Sequence, residues 1–310
     1  MLKFAGRRVL STLPALLGVY TLIFIVLHVL PSDPALMISE GSASKSQLES
    51  LRHQYGLDRP LWRQYADSLG SLAQGRLGRS IRYGEPVGRL IEKVLPSTLE
   101  LALVGLGIAV ALGVTLGTLA ALRPHGWLDN LSTIAALSGV SIPSFWLALM
   151  LIFVFSLWLG WLPVTTGSGW QQLIMPAVTL GLYSTGVISR LARSSLVQTL
   201  HQEFVVTARA KGLPPRLVVL KHALRNSLIP VVTIVGVELG NLLSGTVVVE
   251  TVFARPGLGR LIVESITYRD YPALQSALLV AACGYVLANM LVDVSYGYLD
   301  PRIRDAAAHG

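Results

Sequence analysis

The sequence predicts an all-α integral membrane protein with six transmembrane helices and a polar extracytoplasmic loop after the first. Of its 310 residues, 52% are hydrophobic and 14% charged, against about 25% charged in a globular protein. With a mean hydropathy of +0.59, the chain has too little polar surface to enclose a water-exposed core. Long uncharged stretches recur, and the excess of basic over acidic residues gathers in the segments that fall on one side of them.

A helix rises about 1.5 Å per residue, so about 20 apolar residues cross a hydrocarbon core of about 30 Å. The gap between Arg8 and Asp33 holds one span, ending at Ser32 before Pro34. The prolines around that end lack an N–H and restrict their predecessors. Leu101 to Leu122 is a second span. Between Asp129 and Arg190 nothing is charged, a stretch too long for one crossing. Its interruptions at Gly160-Trp161-Leu162-Pro163 and Gly167-Ser168-Gly169-Trp170 divide it into two helices. Trp158, Trp161 and Trp170 then serve as headgroup-level anchors. Ser227 to about Val249 is the fifth span and carries Glu238 near its middle; Tyr271 to Val292 is the sixth. The basic start, Lys3, Arg7 and Arg8, precedes a run longer than a secretory h-region with no small-residue cleavage site after it, so a retained anchor is expected.

With residue 1 on the inside, the inner segments hold thirteen basic and four acidic residues, while the outer ones nearly balance. The net charge of +8 is thus a positive-inside signature that needs no nucleic acid, and both termini are expected in the cytoplasm. The resulting organisation is an N-terminal segment and first helix (1–32), an outer loop (33–95), a five-helix core (96–300) and a tail (301–310). In the outer loop, Ser46 to Tyr55 and then Trp62, Tyr65 and Leu69 carry helical spacing and predict short amphipathic helices.

The largest inner segment, residues 190–226, is the most informative. Phe204, Thr207, Ala208 and Lys211 follow one helical face, and Gly212 supplies a C-terminal stop before Pro214 and Pro215. The small Ala208/Ala210 surface beside Arg209 and Lys211 suits another protein's groove; a basic loop that only sets topology has the same spacing.

Thr207-Ala208-Arg209-Ala210-Lys211-Gly212, followed by His222-Ala223-Leu224-Arg225-Asn226 and Ile229-Pro230, resembles the EAA-loop signature of binding-protein-dependent ABC importer permeases, in the dipeptide, oligopeptide and nickel branch. Val206 stands where the general signature has glutamate. Stretches similar to that branch recur in order from Arg7-Arg8 through Leu30 to Pro34, at Tyr55 to Leu61, Leu95 to Leu101, Pro256 to Arg260, Arg269 to Pro272 and Leu299 to Arg304. The resemblance implies a type I importer permease fold in the bacterial inner membrane. It also implies a second permease, two cytoplasmic ATPases that carry ATP and Mg, and an extracytoplasmic solute-binding protein. Glu203, Thr207, Ala208, Ala210, Lys211 and Gly212, with His222 nearby, would form the segment that couples to the ATPases. Its cargo would be short peptides, with nickel or a metal chelate, or glutathione, as alternatives within the branch.

The chemistry of the chain is consistent with a transport subunit rather than an enzyme. No G-x-x-x-x-G-K-[ST] occurs: Gly70 and Gly75 have the spacing but Arg76-Leu77 follow. The chain is therefore expected to bind no nucleotide of its own. The six histidines form no metal-spaced pair, the single Cys283 excludes an internal disulfide, and no G-x-S-x-G appears. Small residues four apart, Gly113/Gly117 and Gly236/Gly240, suit close helix contacts. Glu238 is the plainly intramembrane carboxylate, costly unless it faces protein or water. With Asn241 and Ser244 on the same face, it either lines a path or permease interface or makes a structural hydrogen bond. The Ser141-Ile142-Pro143-Ser144 break is a kink that can open toward a cavity. Between spans five and six, Arg260, Glu264, Arg269 and Asp270 punctuate an apolar run. It reads as an outer re-entrant helix meeting the binding protein or gating the path, or as a plain interfacial helix. A self-contained secondary transporter is the rival reading; it predicts several intramembrane ionisable groups and an inverted repeat.

Overall fold

A computed structural model describes residues 2–29, 45–54, 58–124, 126–164 and 169–299. Its long elements are α1 (Leu2–Val29), α2 (Lys45–Gln54), α3 (Leu61–Ala73), α4 (Val87–Leu122), α5 (Trp127–Ser141), α6 (Ser144–Leu151), α7 (Gln171–Leu200), α8 (Glu203–Ala210), α9 (Ile229–Val252), α10 (Leu258–Thr267) and α11 (Tyr271–Leu299). Among the described residues the extended pairing amounts to one isolated bridge, Arg79 with Pro86. Four helices are long and apolar enough to cross a membrane, within α4, α7, α9 and α11, and two shorter apolar stretches, Thr12–Leu27 and Ser144–Trp158, stand where the first and third spans are expected.

Helix ends and expected span ends differ in an instructive way. α4 begins at Val87, inside the expected outer loop, and passes the 95/96 boundary with Pro96 in its interior. Glu92, Lys93 and Glu100 ride on its exposed face. α7 likewise continues past Arg190 to Leu200. Charges mark where a helix leaves the apolar phase, and a helix continues through water when one face is packed. The uncharged stretch from 129 to 190 holds three helices. α5 stops at Ser141, Pro143 caps α6, and α6 runs on as a π-helical segment, Ile152–Trp158. The expected turn follows, with Gly160 in the left-handed region at φ +63°. The expected stop at Pro31 and Pro34 lies outside the described residues.

The chain divides into two compact units, Met1–Thr98 with Arg255–Gly284, and Leu99–Ala254 with Tyr285–Gly310. The first is centred on Ile23 and Leu27 of α1, Val87, Leu90 and Ile91 of α4, Leu258, Leu261 and Ile262 of α10, and Ala273, Leu274 and Ala277 of α11. α3 is fastened to α1 by aromatic contacts: Tyr65 meets Phe24 edge-on at 5.2 Å between centroids, and the Thr21 and Tyr65 hydroxyls lie 2.6 Å apart. The Tyr20 hydroxyl also pairs with Ser68. Trp62, which shares the helical spacing of Tyr65 and Leu69, is 67% exposed. Tyr65, Ser68, Leu69 and Leu72 are half-buried, and the bonds of Tyr65 and Ser68 to α1 hold that face in place.

In the second unit α7 is central, with 67% of its apolar window buried against 28% for α4 and α9. In lipid, helix association relies on close packing and interhelical hydrogen bonds rather than on expelling water. The small residues that permit such packing are here. A Cβ on Gly113 would lie 2.8 Å from Ile188, one on Gly117 2.5 Å from the Ser189 carbonyl, and one on Gly181 2.5 Å from the Gly105 carbonyl. The Gly113/Gly117 spacing thus marks an α4–α7 crossing. Gly240 packs on the Tyr285 ring, 3.0 Å from where its Cβ would stand. Asp129, 4% exposed, ties α5 to α7 through a two-pronged pair with Arg193, at 2.5 and 2.7 Å.

Candidate functional site

Three places collect the residues singled out in the sequence. The first is α8 and the chain after it. Gln202 begins the helix with its carbonyl accepting from Val205 and Val206. Gly212 ends it at φ +75°, donating to Arg209 at 2.9 Å. A helical turn at Pro215–Leu217, a π-helical stretch Val218–Ala223 and Leu224–Ser227 then lead into α9. Val205 and Ala208 of α8 are buried among Ala121, Leu196, Val218 and Ala223. The Ser195 hydroxyl donates to the Ser227 carbonyl at 2.8 Å, clamping the end of this segment onto α7.

The exposed face of α8 keeps Phe204, Thr207 and Lys211 of the expected spacing but not Ala208. Ala208, 8% exposed, turns inward, while Phe204 at 39% and Val206 at 57% stand on the outer surface. Glu203, Thr207, Arg209, Ala210 and Lys211 are exposed with them. Spacing alone does not choose which side of an eight-residue helix packs, and the π-helical stretch offers its apolar side to Val205 and Ala208. His222 lies half-buried in that stretch, its carbonyl accepting from Asn226 at 3.2 Å.

The second place is a cavity of about 440 Å³ inside the second unit, lined from α5, α6, α7 and α9 by residues that include Ser144, Thr179, Tyr183, Ser184, Asn241 and Ser244. Its volume falls within the range of about 300–1,000 Å³ for small-molecule sites. Ile142 and Ser144, on either side of Pro143, line the opening that the α5–α6 break creates. Ser141 and Pro143 themselves are exposed beside it. Glu238, 3% exposed, sits behind the wall. Its Oε2 accepts from the Ser184 hydroxyl at 2.6 Å and its Oε1 from the Asn241 amide at 3.3 Å. Ser184, Thr179 and Tyr183 were missed by sequence reasoning because they belong to another helix; only their place in the cavity lining, and for Ser184 its bond to Glu238, singles them out.

The third place is in the first unit. α10 is the helix expected between spans five and six, and its Leu258 N–H donates to the Thr98 hydroxyl at 2.8 Å. Two of the sequence stretches that carry the family resemblance thus meet. Arg260 pairs with Glu264 at 2.8 Å, and the Tyr83 hydroxyl donates to the same carboxylate at 2.8 Å. Burial first and then the Glu264 carboxylate hold the Tyr83 phenol above its ordinary pKa, so it stays a donor at neutral pH. Arg269 is exposed with φ +52°, a strained turn for a side-chain residue.

Asp270 corrects an expectation. It is 1% exposed and so presents no surface to a partner. Its carboxylate instead accepts from the Ser80 hydroxyl, the N–H groups of Ile81 and Arg82 at 3.1 and 3.2 Å, and the Ala273 N–H at 3.2 Å. It caps α11 and holds the 80–82 turn against it. The Asp270→Ala variant is expected to leave buried donors unpaired at about 1–3 kcal/mol each and to open residues 79–86 to limited proteolysis in detergent. A digestion pattern identical to that of the parent protein would refute this role.

The chain matches the family described as binding-protein-dependent transport system inner membrane component over residues 113–305. It also matches the N-terminal domain described for that transport-system membrane component over residues 1–102. It is 40% identical to the dipeptide transport system permease protein DppB of Alkalihalophilus pseudofirmus, covering 98% of this chain and 100% of that protein. It is 42% identical to the glutathione transport system permease protein GsiC of Escherichia coli strain K12, over 98% and 99% of the two chains. Among solved structures, the fold is similar to that of a chain of the inward-facing MetNI methionine ABC transporter, at a TM-score of 0.56 and 20% identity over 68% of this chain and 96% of that one. It is also similar to a chain of an amino acid ABC transporter, at a TM-score of 0.54 and 16% identity over 67% and 92%. The full-length matches, the apolar helices and the shared fold agree: this chain belongs to the binding-protein-dependent transport system inner membrane component family, the multi-pass permease subunits of ABC importers.

Proposed function

We propose that this chain is one of two permease subunits of an ATP-driven importer for short peptides, working by alternating access with a sister permease, two ATPases and an extracytoplasmic binding protein. The observation that carries the reading is the full-length similarity to the dipeptide and glutathione permeases, since both cargoes are short peptides. In this arrangement both termini and α8 lie in the cytoplasm. The exposed Phe204, Val206, Thr207, Ala210 and Lys211 meet an ATPase groove, while Val205 and Ala208 anchor the helix to its own chain.

ATP and Mg belong to the partner ATPases, and movement reaches the core through the segment between Gly212 and Ser227. Its π-helical turn is a form of helix found often at functional sites. On the outer side, Arg260, Glu264 and Arg269 supply polar surface on and after α10 for the binding protein, and Asp270 keeps that surface in shape from within. Metal or metal-chelate cargo is the alternative within the family, and nothing in the cavity lining favours it over peptide.

Affinity purification of the tagged chain from membranes in mild detergent, followed by identification of the co-purified subunits and of the ligand held by their binding protein, tests the proposal. A second permease, ATPases and a peptide-loaded binding protein are expected. A homo-oligomer without ATPases would return the secondary transporter to consideration, and a binding protein loaded only with metal would overturn the cargo assignment.

A further inference from the structure

α7 runs from the cavity to α8. Its Thr179, Leu180, Tyr183 and Ser184 line the cavity, and its end at Leu200 leads through Gln202 into α8. Arg193 lies between the two, nine residues past Ser184 and ten before Glu203. There it grips Asp129 of α5, with Nε 2.5 Å from Oδ1 and Nη2 2.7 Å from Oδ2. α5 also reaches the cavity, which Gly139 lines, ten residues along from Asp129 or about 15 Å of helix. At that level a Cβ on Gly139 would stand 2.9 Å from the Leu182 carbonyl oxygen. The Asp129–Arg193 and Gly139–Leu182 contacts therefore hold α5 antiparallel to α7 at two levels, one beside the cavity and one on the α8 side of it.

The two contacts transmit different things. Gly139 against Leu182 is close packing, which resists approach but does not stop the helices from parting. A guanidinium fork on a carboxylate resists both: parting, or a one-turn slide of about 5.4 Å, breaks two charge-assisted bonds together. Asp129 is 4% exposed, so water has little access to its oxygens. α5 ends at Ser141 and α8 begins at Glu203, so by sequence the two are far apart and movement at α8 reaches α5 through contact with α7. We propose that Asp129 and Arg193 are positioning residues for transport, a yoke that makes α5 follow α7 so that ATPase-driven movement of α8 carries both of these cavity walls together. The assignment rests on the import reading above, in which α8 meets an ATPase.

Asp129→Asn is the informative single change. It removes the charge at the buried end and leaves Arg193, whose side chain is 33% exposed, able to turn to water; changing Arg193 instead would strand a buried carboxylate. The complete importer is reconstituted in vesicles with glycylglycine as the probe cargo. In Asp129→Asn the peptide imported per ATP hydrolysed is expected to fall about tenfold, in the range for residues on a coupling path, while the ATPases still co-purify. A second variant replaces the ion pair by a covalent link. In a Cys283→Ser background, Asp129→Cys with Arg193→Cys is expected to be uncoupled in the same way. Bridging the two thiols with a short bis-methanethiosulfonate is expected to restore most of the ratio, measured against an equally treated Cys283→Ser complex.

A ratio that Asp129→Asn leaves unaltered overturns the proposal, because packing alone then carries α5. Bridged thiols that leave import blocked overturn it as well, since the pair must then open in each cycle. Loss of folded protein or of bound ATPases in both variants, unrelieved by the bridge, assigns the pair to stability alone and overturns the yoke. Failure of the import reading shows separately, as absence of ATP-dependent glycylglycine uptake by the parent complex before any change at Asp129.

Discussion

The Gly212→Pro variant is expected to insert, to retain its membrane-spanning helices and to import almost nothing. Gly212 stands at φ +75°, where α8 turns toward Pro214. Proline is locked near φ −65°, so it cannot adopt this turn. The end of α8 must then be displaced or unwound, at a cost of about 3 kcal/mol. If that cost falls on the ATPase-docked state, uptake drops by about 100-fold. Gly212→Ala gives the graded control. Nothing lies within 4 Å of the added Cβ, so only the left-handed backbone is penalised, at about 1–2 kcal/mol. A milder defect, about tenfold, follows.

Two further substitutions separate docking from folding. Ala210→Glu changes the exposed face and is expected to lower uptake and ATPase co-purification with the melting temperature unchanged. Ala208→Glu puts a charge among Val205, Leu196 and Val218, and is expected to lower both uptake and melting temperature. Uptake assays on reconstituted vesicles, beside thermal melts of the same preparations, check all four. Normal uptake by both Gly212→Pro and Ala210→Glu would remove α8 from the coupling path.

The Gly181→Val variant is expected not to accumulate as folded protein. Its Cβ would lie 2.5 Å from the Gly105 carbonyl oxygen, and both groups belong to helix backbones that cannot turn aside. Overpacking in a well-packed core costs about 1–3 kcal/mol when side chains absorb it; here α4 and α7 must part, so the loss is larger. Gly117→Val, facing the Ser189 carbonyl at 2.5 Å, is expected to behave alike. Gly107→Ala on the same α4 meets nothing within 4 Å, and should be neutral or stabilising by up to about 1 kcal/mol. Yield of monodisperse protein and its melting temperature in detergent decide the matter. Parent-like melting of Gly181→Val would show that the two helices are not in this contact.

The sequence by itself determined that the chain is apolar, helical and membrane-bound, because uncharged runs of about 20 residues have few other stable fates. It also determined the family, through ordered motif stretches, and the short helix ending at Gly212, because a glycine followed by Pro214 and Pro215 is a local stop. It marked Glu238, Asn241 and Ser244, since a carboxylate in an apolar span needs an unusual environment.

What it left open depends on partners distant in the chain. The start of α4 at Val87 follows from packing of Leu90 and Ile91, which no charge pattern reports. Asp270 looked like a surface acid because its motif is polar, but its donors lie some 190 positions earlier, at Ser80, Ile81 and Arg82. Ala208 looked exposed because helical spacing has no inside until another element covers one face. Only the tertiary structure set Ser184 and Thr179 of α7 across from Asn241 and Ser244 of α9.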